Sequence, residues 1–166
     1  MINQELRSQG IGGSEIAALC GHDKFRTPLD IYNIKLFGSD FTGNNATKAG
    51  NLLEPLVADL FENENGIKCI IPEPCTILDG IKVSSPDRYY DNSILEIKTT
   101  GEYLTEPMTK WYLQLQWYLG NLGKSTGAIA WIERKNMTYK QEFFNFDKNT
   151  YEMMVEVATE FWNNHI

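Results

Sequence analysis

One tract constrains this chain more than any other: Ser84-Ser85-Pro86-Asp87-Arg88-Tyr89-Tyr90-Asp91-Asn92-Ser93-Ile94-Leu95-Glu96-Ile97-Lys98-Thr99-Thr100. Two β-rich segments, 81–84 and 94–99, flank a polar turn containing Asp91 and Asn92, which is a hairpin signature. Along 94–98 the side chains alternate, so Glu96 and Lys98 share one face of the strand while Leu95 and Ile97 share the other. Pro86 cannot continue a central ladder, so the chain bends there and Asp87 is expected at the end of the preceding strand. Such a hairpin gathers Asp87, Glu96 and Lys98 at one end of a sheet. Two carboxylates attract a hard divalent cation such as Mg²⁺, which takes oxygen ligands. A lysine beside them can position a water or stabilise charge developing on a phosphate. An isolated E-x-K is usually an exposed ion pair; P-D followed at a short gap by apolar-E-apolar-K is a much narrower pattern.

The chain of 166 residues is long enough for one domain with a sizeable core, so a single domain over 1–166 is expected. Apolar residues at 42% and charged residues at 22% are ordinary for a soluble globular protein. No apolar run approaches the roughly 20 residues that span a bilayer. The stretch Met-Ile-Asn-Gln-Glu-Leu-Arg lacks the basic and apolar regions of a signal peptide, which makes a cytoplasmic location the expectation. Cys20, Cys69 and Cys75 are odd in number and lack C-x-x-C spacing, and His22 and His165 lie far apart, so neither a disulfide frame nor a zinc site is expected. A net charge of −7 argues against loose nucleic-acid binding but not against an enzyme with positive charge focused in one groove. Lys24, Arg26, Lys48, Arg88, Lys110, Arg134, Lys135 and Lys140 are the residues that can supply it.

Near the start, a glycine-rich turn runs into a short apolar helix, with Ser14 as the expected N-cap and Gly21 as the stop. This is either a well-capped helix or an anion site within reach of Arg7. It is not a dinucleotide fingerprint, because no strand precedes it and Glu15 holds the third glycine position. A second helix is expected over 28–37, capped by Thr27, opened by Pro28 and ended by Gly38. The polar stretch 38–48 reads as a loop. A helix over 49–61 follows, with Leu53, Leu56, Val57 and Leu60 inward, Pro55 in or near its first turn, and Glu54 a carboxylate that needs a partner. Residues 68–72 and 75–78 read as short strands. After the hairpin, 108–121 has helical periodicity through Trp111, Leu115, Tyr118 and Leu122, and Gln114 shares a face with Tyr118. Residues 125–133 and 138–146 read as a second hairpin, and Asp147 caps a last amphipathic helix over 148–163.

In this order, Arg7 and Ser14 before a helix, G-N-L-L-E-P, S-S-P-D, L-E-I-K and Y-L-Q-L-Q-W-Y make up a set of five motifs. The set resembles the YqaJ-type viral recombinase family, which includes the bacteriophage lambda exonuclease, within the PD-(D/E)xK nuclease superfamily. The resemblance runs from about Arg7 to Trp162. It implies an α/β fold with a restriction-endonuclease-like core, a mixed central β-sheet flanked by helices. It also implies metal-dependent cleavage of DNA phosphodiester bonds, commonly processive digestion of one strand of a duplex from its 5′ end.

On that resemblance Asp87 and Glu96 are carboxylate ligands of Mg²⁺, with Mn²⁺ as a substitute, and the carbonyl of Ile97 adds a backbone ligand. Glu54 is the acidic residue of the preceding helix, near a second metal or its waters. Lys98 is the catalytic lysine. Gln114 supports the lysine or the water, and Gln116 has a weaker role. Arg7 and Ser14 match the residues that hold a terminal 5′-phosphate. The implied partners are double-stranded DNA ends and a single-strand annealing recombinase, and the implied assembly is a homo-oligomer such as a trimer, in a phage or prophage setting. Two alternatives stay open: a structure- or site-specific endonuclease on the same core, and a non-cutting module that binds DNA ends or a recombinase.

Overall fold

A computed structural model describes residues 3–166. The first two residues, part of the stretch read above for a signal peptide, lie outside the described residues. The elements are α1 Gln4–Ser8, α2 Gly13–Leu19, α3 Pro28–Phe37, α4 Asn45–Asn65, β1 Ile77–Asp79, β2 Lys82–Ser84, β3 Arg88–Tyr90, β4 Ser93–Thr100, α5 Thr109–Leu122, β5 Thr126–Glu133, β6 Thr138–Asn145 and α6 Lys148–His165.

One crossover organises the sheet. β4 and β5 lie parallel, so the chain must return to the same end between them, and α5 makes that return. β3 and β6 then add antiparallel strands at the two edges, giving the order β3-β4-β5-β6. Ile94, Ile129 and Trp131 pack on one face under α2, α5 and α6. Leu95, Ile97, Ala128, Ala130 and Ile132 pack on the other, against Val57, Ala58 and Phe61 of α4. The expected mixed α/β architecture is therefore present, with the strand alternation intact. Among the described residues no helix is long and apolar enough to cross a membrane.

Four local expectations are corrected. The hairpin partner of β4 is β3, not the segment 81–84. Asp91 and Asn92 both take positive φ (43° and 62°), as a two-residue turn requires, and so pair Tyr90 with Ser93. Segment 82–84 pairs instead with β1 as a separate two-stranded sheet, and Asp87 stands just before β3 instead of ending the previous strand. Second, α4 begins inside the stretch read as loop, because the Asn44 side chain accepts from Thr47 N–H and caps it there. Pro55 consequently lies in the helix interior, on the exposed side. Leu56 is exposed, and Phe61 fills the core in its place. Third, Gly12, not Ser14, is the N-cap of α2; the Glu15 carboxylate reaches back to Gly12 N–H at 2.9 Å, and Ser14 is left inside the first turn. Fourth, the expected strand over 68–72 is only a bridge between Ile70 and Tyr89.

Candidate active site

β4 carries Glu96 and Lys98 on the face toward α5, and Asp87 arrives beside them where the chain turns into β3. Asp87 N–H donates to Glu96 Oε1 at 3.2 Å, and Asp87 Oδ2 accepts from Ile97 N–H at 2.7 Å. The N–H and C=O of one strand residue point to the same side, so the Ile97 carbonyl also faces the Asp87 edge. β3 does not cover that edge, because it begins at Arg88, opposite Leu95. Glu96 is almost wholly buried. Withdrawal from water pushes its carboxyl well above the usual range, and the neighbouring Asp87 charge adds to the shift. Burial raises Asp87 in the same direction, with Lys98 opposing it. The two carboxylates are thus held together at a cost that Lys98 offsets only in part.

Lys98 Nζ lies 3.8 Å from Glu96 Oε2 and donates to Gln114 Oε1 at 2.5 Å. The Gln114 amide in turn donates to the Tyr118 hydroxyl at 3.2 Å. Burial, together with the nearby Glu96 charge, raises the Tyr118 phenol and keeps it neutral. Lys98, Gln114 and Tyr118 therefore form one relay from strand to helix. Gly13 lets α2 close on this relay: a Cβ there would stand 2.5 Å from Gln114 Cγ and 2.9 Å from the Tyr118 ring.

Behind Gly13, Arg7 Nη2 donates to Ser14 Oγ at 3.1 Å. Arg7 and Ser14 line the same cleft, of about 350 Å³, as Glu54, Asp87, Glu96, Lys98, Gln114 and Tyr118. Residues far apart in sequence thus converge because segment 10–12 is tied to β2. Ile11 N–H donates to Ile81 O, Val83 N–H donates to Ile11 O, and the buried Trp117 indole caps both Ile11 and Val83 carbonyls at 3.1 and 3.3 Å.

The other expected residues divide. Glu54 lines the cleft, but its Oε1 accepts from Arg88 Nη1 at 2.7 Å, and the same Arg88 nitrogen donates to Asp87 O. Among the described residues no three Asp, Glu, His or Cys side chains converge as a metal cluster, and Asp87 and Glu96 are the carboxylate residues in direct contact. Gln116 points elsewhere; it is buried and joins Asn145 O to Asp147 N–H at 2.9 and 2.8 Å, fixing β6 to the start of α6. Of the cations offered for a groove, Arg134 bonds the hydroxyl of Thr99, which lines the cleft, while Lys140 is engaged by Glu133. Lys24 and Lys110 flank the exposed Phe25 ring. Sequence reasoning passed over the buried Glu15–Lys35 pair; a carboxylate in the first turn of an apolar helix was the available signal.

Comparisons with known proteins bear on the fold and the family. In structure, the chain is similar to LHK-Exo, an alkaline exonuclease from Laribacter hongkongensis, with TM-score 0.76, 18% identity, and 98% of this chain and 92% of that one covered. It is also similar to a phage-related exonuclease from Haemophilus somnus 129PT, with TM-score 0.71, 15% identity, and coverage of 93% and 94%. At such identities the likeness establishes the fold. In sequence, it is 30% identical over 181 residues to the protein YqaJ of Bacillus subtilis (strain 168), covering 96% of this chain and 54% of that relative. The chain thus spans about half the relative's length. Residues 4–124 match the YqaJ-like viral recombinase domain, and the chain belongs to that family.

Proposed function

We propose that this chain is a divalent-cation-dependent deoxyribonuclease that digests the 5′-ended strand of linear double-stranded DNA, leaving a 3′ single strand for phage-type recombination. The observation that carries this reading is the single cleft in which buried Glu96, half-buried Asp87, a relay-held lysine and an arginine–serine pair meet. Asp87 and Glu96 fit a cation such as Mg²⁺ or Mn²⁺, because Lys98 offsets their raised carboxyls only in part. The Ile97 carbonyl on the same edge offers a third oxygen, and a hard cation keeps waters for the remainder. When bound, the ion supplies Lewis acidity, lowering the pKa of a water and neutralising charge on the scissile phosphate.

The chain's own residues do the rest. Lys98, with its ammonium held by Gln114, orients the attacking water and offsets charge on the phosphate oxygens. Tyr118 fixes the Gln114 amide. Glu54, held against Arg88, lines the cleft on the α4 side, near the carboxylate pair and its bound waters. Arg7 and Ser14 present a guanidinium and a hydroxyl to a terminal 5′-phosphate, so each cut is followed by recapture of the new end. A single-strand annealing recombinase to coat the exposed strand and a ring of subunits around DNA both belong to this reading, as does work in the cytoplasm of a phage's bacterial host. LHK-Exo has been solved with dAMP, the kind of mononucleotide such digestion releases.

The test is digestion of linear duplex DNA with Mg²⁺, comparing 5′-phosphate with 5′-hydroxyl ends, beside a closed circle and Lys98→Ala. Loss of linear DNA alone, faster with the phosphate and absent in the variant, is the expected result. Cutting of the circle would make the chain an endonuclease, and no cation-dependent cutting of any substrate would make it a binding module.

A further inference from the structure

Arg7 borders two spaces. One is the cleft already described; the other is a cavity of about 630 Å³ lined by Arg7, Ser8, Glu15, Arg26, Lys35 and Phe41 among others. A long, flexible guanidinium at such a boundary has two places to go, and only one faces the scissile position. Something must choose between them.

Lys35 and Glu15 are placed to do so. Both side chains are almost wholly buried, and they pair at 2.9 Å. Lys35 Nζ, from α3, also donates to the main-chain carbonyl of Arg7 at 2.9 Å, while Glu15 accepts Gly12 N–H at 2.9 Å. The pair therefore ties the last turn of α1, which carries Arg7, to the first turn of α2, which carries Ser14. Arg26 secures the other side, donating to Ser14 O at 3.1 Å and pairing with Asp23 at 3.2 Å. A buried ion pair is weak evidence for stability, because desolvation offsets its attraction. What it does well is fix geometry, and here its remaining bonds are spent on the backbone of Arg7 and Gly12. We infer that Lys35 and Glu15 are positioning residues for the end-recognition site, holding Arg7 across Ser14 so that the chain distinguishes a 5′-phosphate from a 5′-hydroxyl end. This rests on the proposed reading of Arg7 and Ser14.

The test uses the full chain and two readouts: binding of short duplexes with 5′-phosphate or 5′-hydroxyl ends in Ca²⁺, and thermal unfolding. Lys35→Met alone strands the Glu15 charge and is expected to lower Tm. The Glu15→Gln/Lys35→Met double variant removes both charges and is expected to melt close to the wild type. Its preference for the phosphate end should nevertheless fall about tenfold, the loss of one charge-assisted contact, with affinity for the hydroxyl end unchanged. Glu15→Gln, which keeps an acceptor for Gly12 N–H, should show a smaller loss in the same direction and serves if the double variant does not fold. Wild-type preference retained in a folded variant would overturn the inference. A wild-type chain with no preference at all would instead overturn the phosphate pocket, and the inference with it.

Discussion

Replacing Gln114 with methionine isolates the part of the cleft that the structure makes most specific. Lys98 has two polar neighbours there, Gln114 Oε1 at 2.5 Å and Glu96 Oε2 at 3.8 Å. Methionine conserves the side chain's length and volume but accepts no comparable bond, so the ammonium is left with the longer contact to Glu96. A hydrogen bond to a charged group contributes about 1.5–3 kcal/mol. If the lysine needs that bond to hold its reacting position, the catalytic rate falls roughly 10- to 150-fold. Tyr118→Phe removes only the neutral bond that steadies the amide, worth about 1 kcal/mol, and should cost roughly fivefold. Initial rates on a 5′-phosphorylated linear duplex at saturating Mg²⁺ provide the measurement, with Tm and Mn²⁺ affinity as controls expected to change little. The refuting result is a Gln114→Met protein within threefold of wild type (well under the roughly 10-fold minimum) while Lys98→Ala is inactive. Lys98 would then keep its place without the glutamine.

Three further outcomes follow from the same structure. Asp87→Asn should weaken Mn²⁺ binding by about tenfold or more in calorimetry; unchanged affinity would place the cation away from the Asp87 and Glu96 pair. Gly13→Ala gains helix propensity of up to about 1 kcal/mol but drives a Cβ to 2.5 Å from Gln114 Cγ. The overpacking, about 1–3 kcal/mol, should win, so both Tm and nuclease rate fall, and an unchanged rate would show that α2 shifts without disturbing the relay. Asp147 caps α6 by accepting from Thr150, whose bonds hold its carboxyl below the ordinary range. Because the folded value is depressed, its contribution is present above the unfolded pKa and is lost as pH falls through the folded one. Asp147→Ala should therefore cost about 1 kcal/mol near neutral pH, and urea titrations should show that gap closing in acid; a gap that persists there would mean the cap is not electrostatic.

Local signals carried much of the architecture. Thr27-Pro28 and Gly38 bracket α3, Asp147 starts α6, and helical periodicity places α5, because capping and amphipathicity act within a few residues. Where local signals were ambiguous, tertiary context overrode them. Segment 82–84 has the composition of a hairpin arm, yet pairs with β1 because the two-residue Asp91-Asn92 turn leaves only β3 within reach of β4. Polar residues 45–48 read as loop, but they extend α4 because Asn44 caps it and the rest of the helix buries Val57 and Phe61.

The candidate site divides in the same way. Glu96 and Lys98 were legible on one face from the strand period, and the nearness of Asp87 to them from the bend at Pro86, since covalent spacing sets both; the Ile97 carbonyl came only with the family resemblance. The union of that pair with Arg7 and Ser14 was not, because it depends on Ile11 lying along β2 under Trp117. Nor did spacing show that Glu54 would meet Arg88, that Gln116 would turn away, or that Lys35 would reach across to Arg7's backbone. The sequence by itself determined which chemical groups the chain owns and which face of each element bears them. Only the tertiary structure decided which groups share a cleft, because that depends on packing between segments with no fixed spacing along the chain.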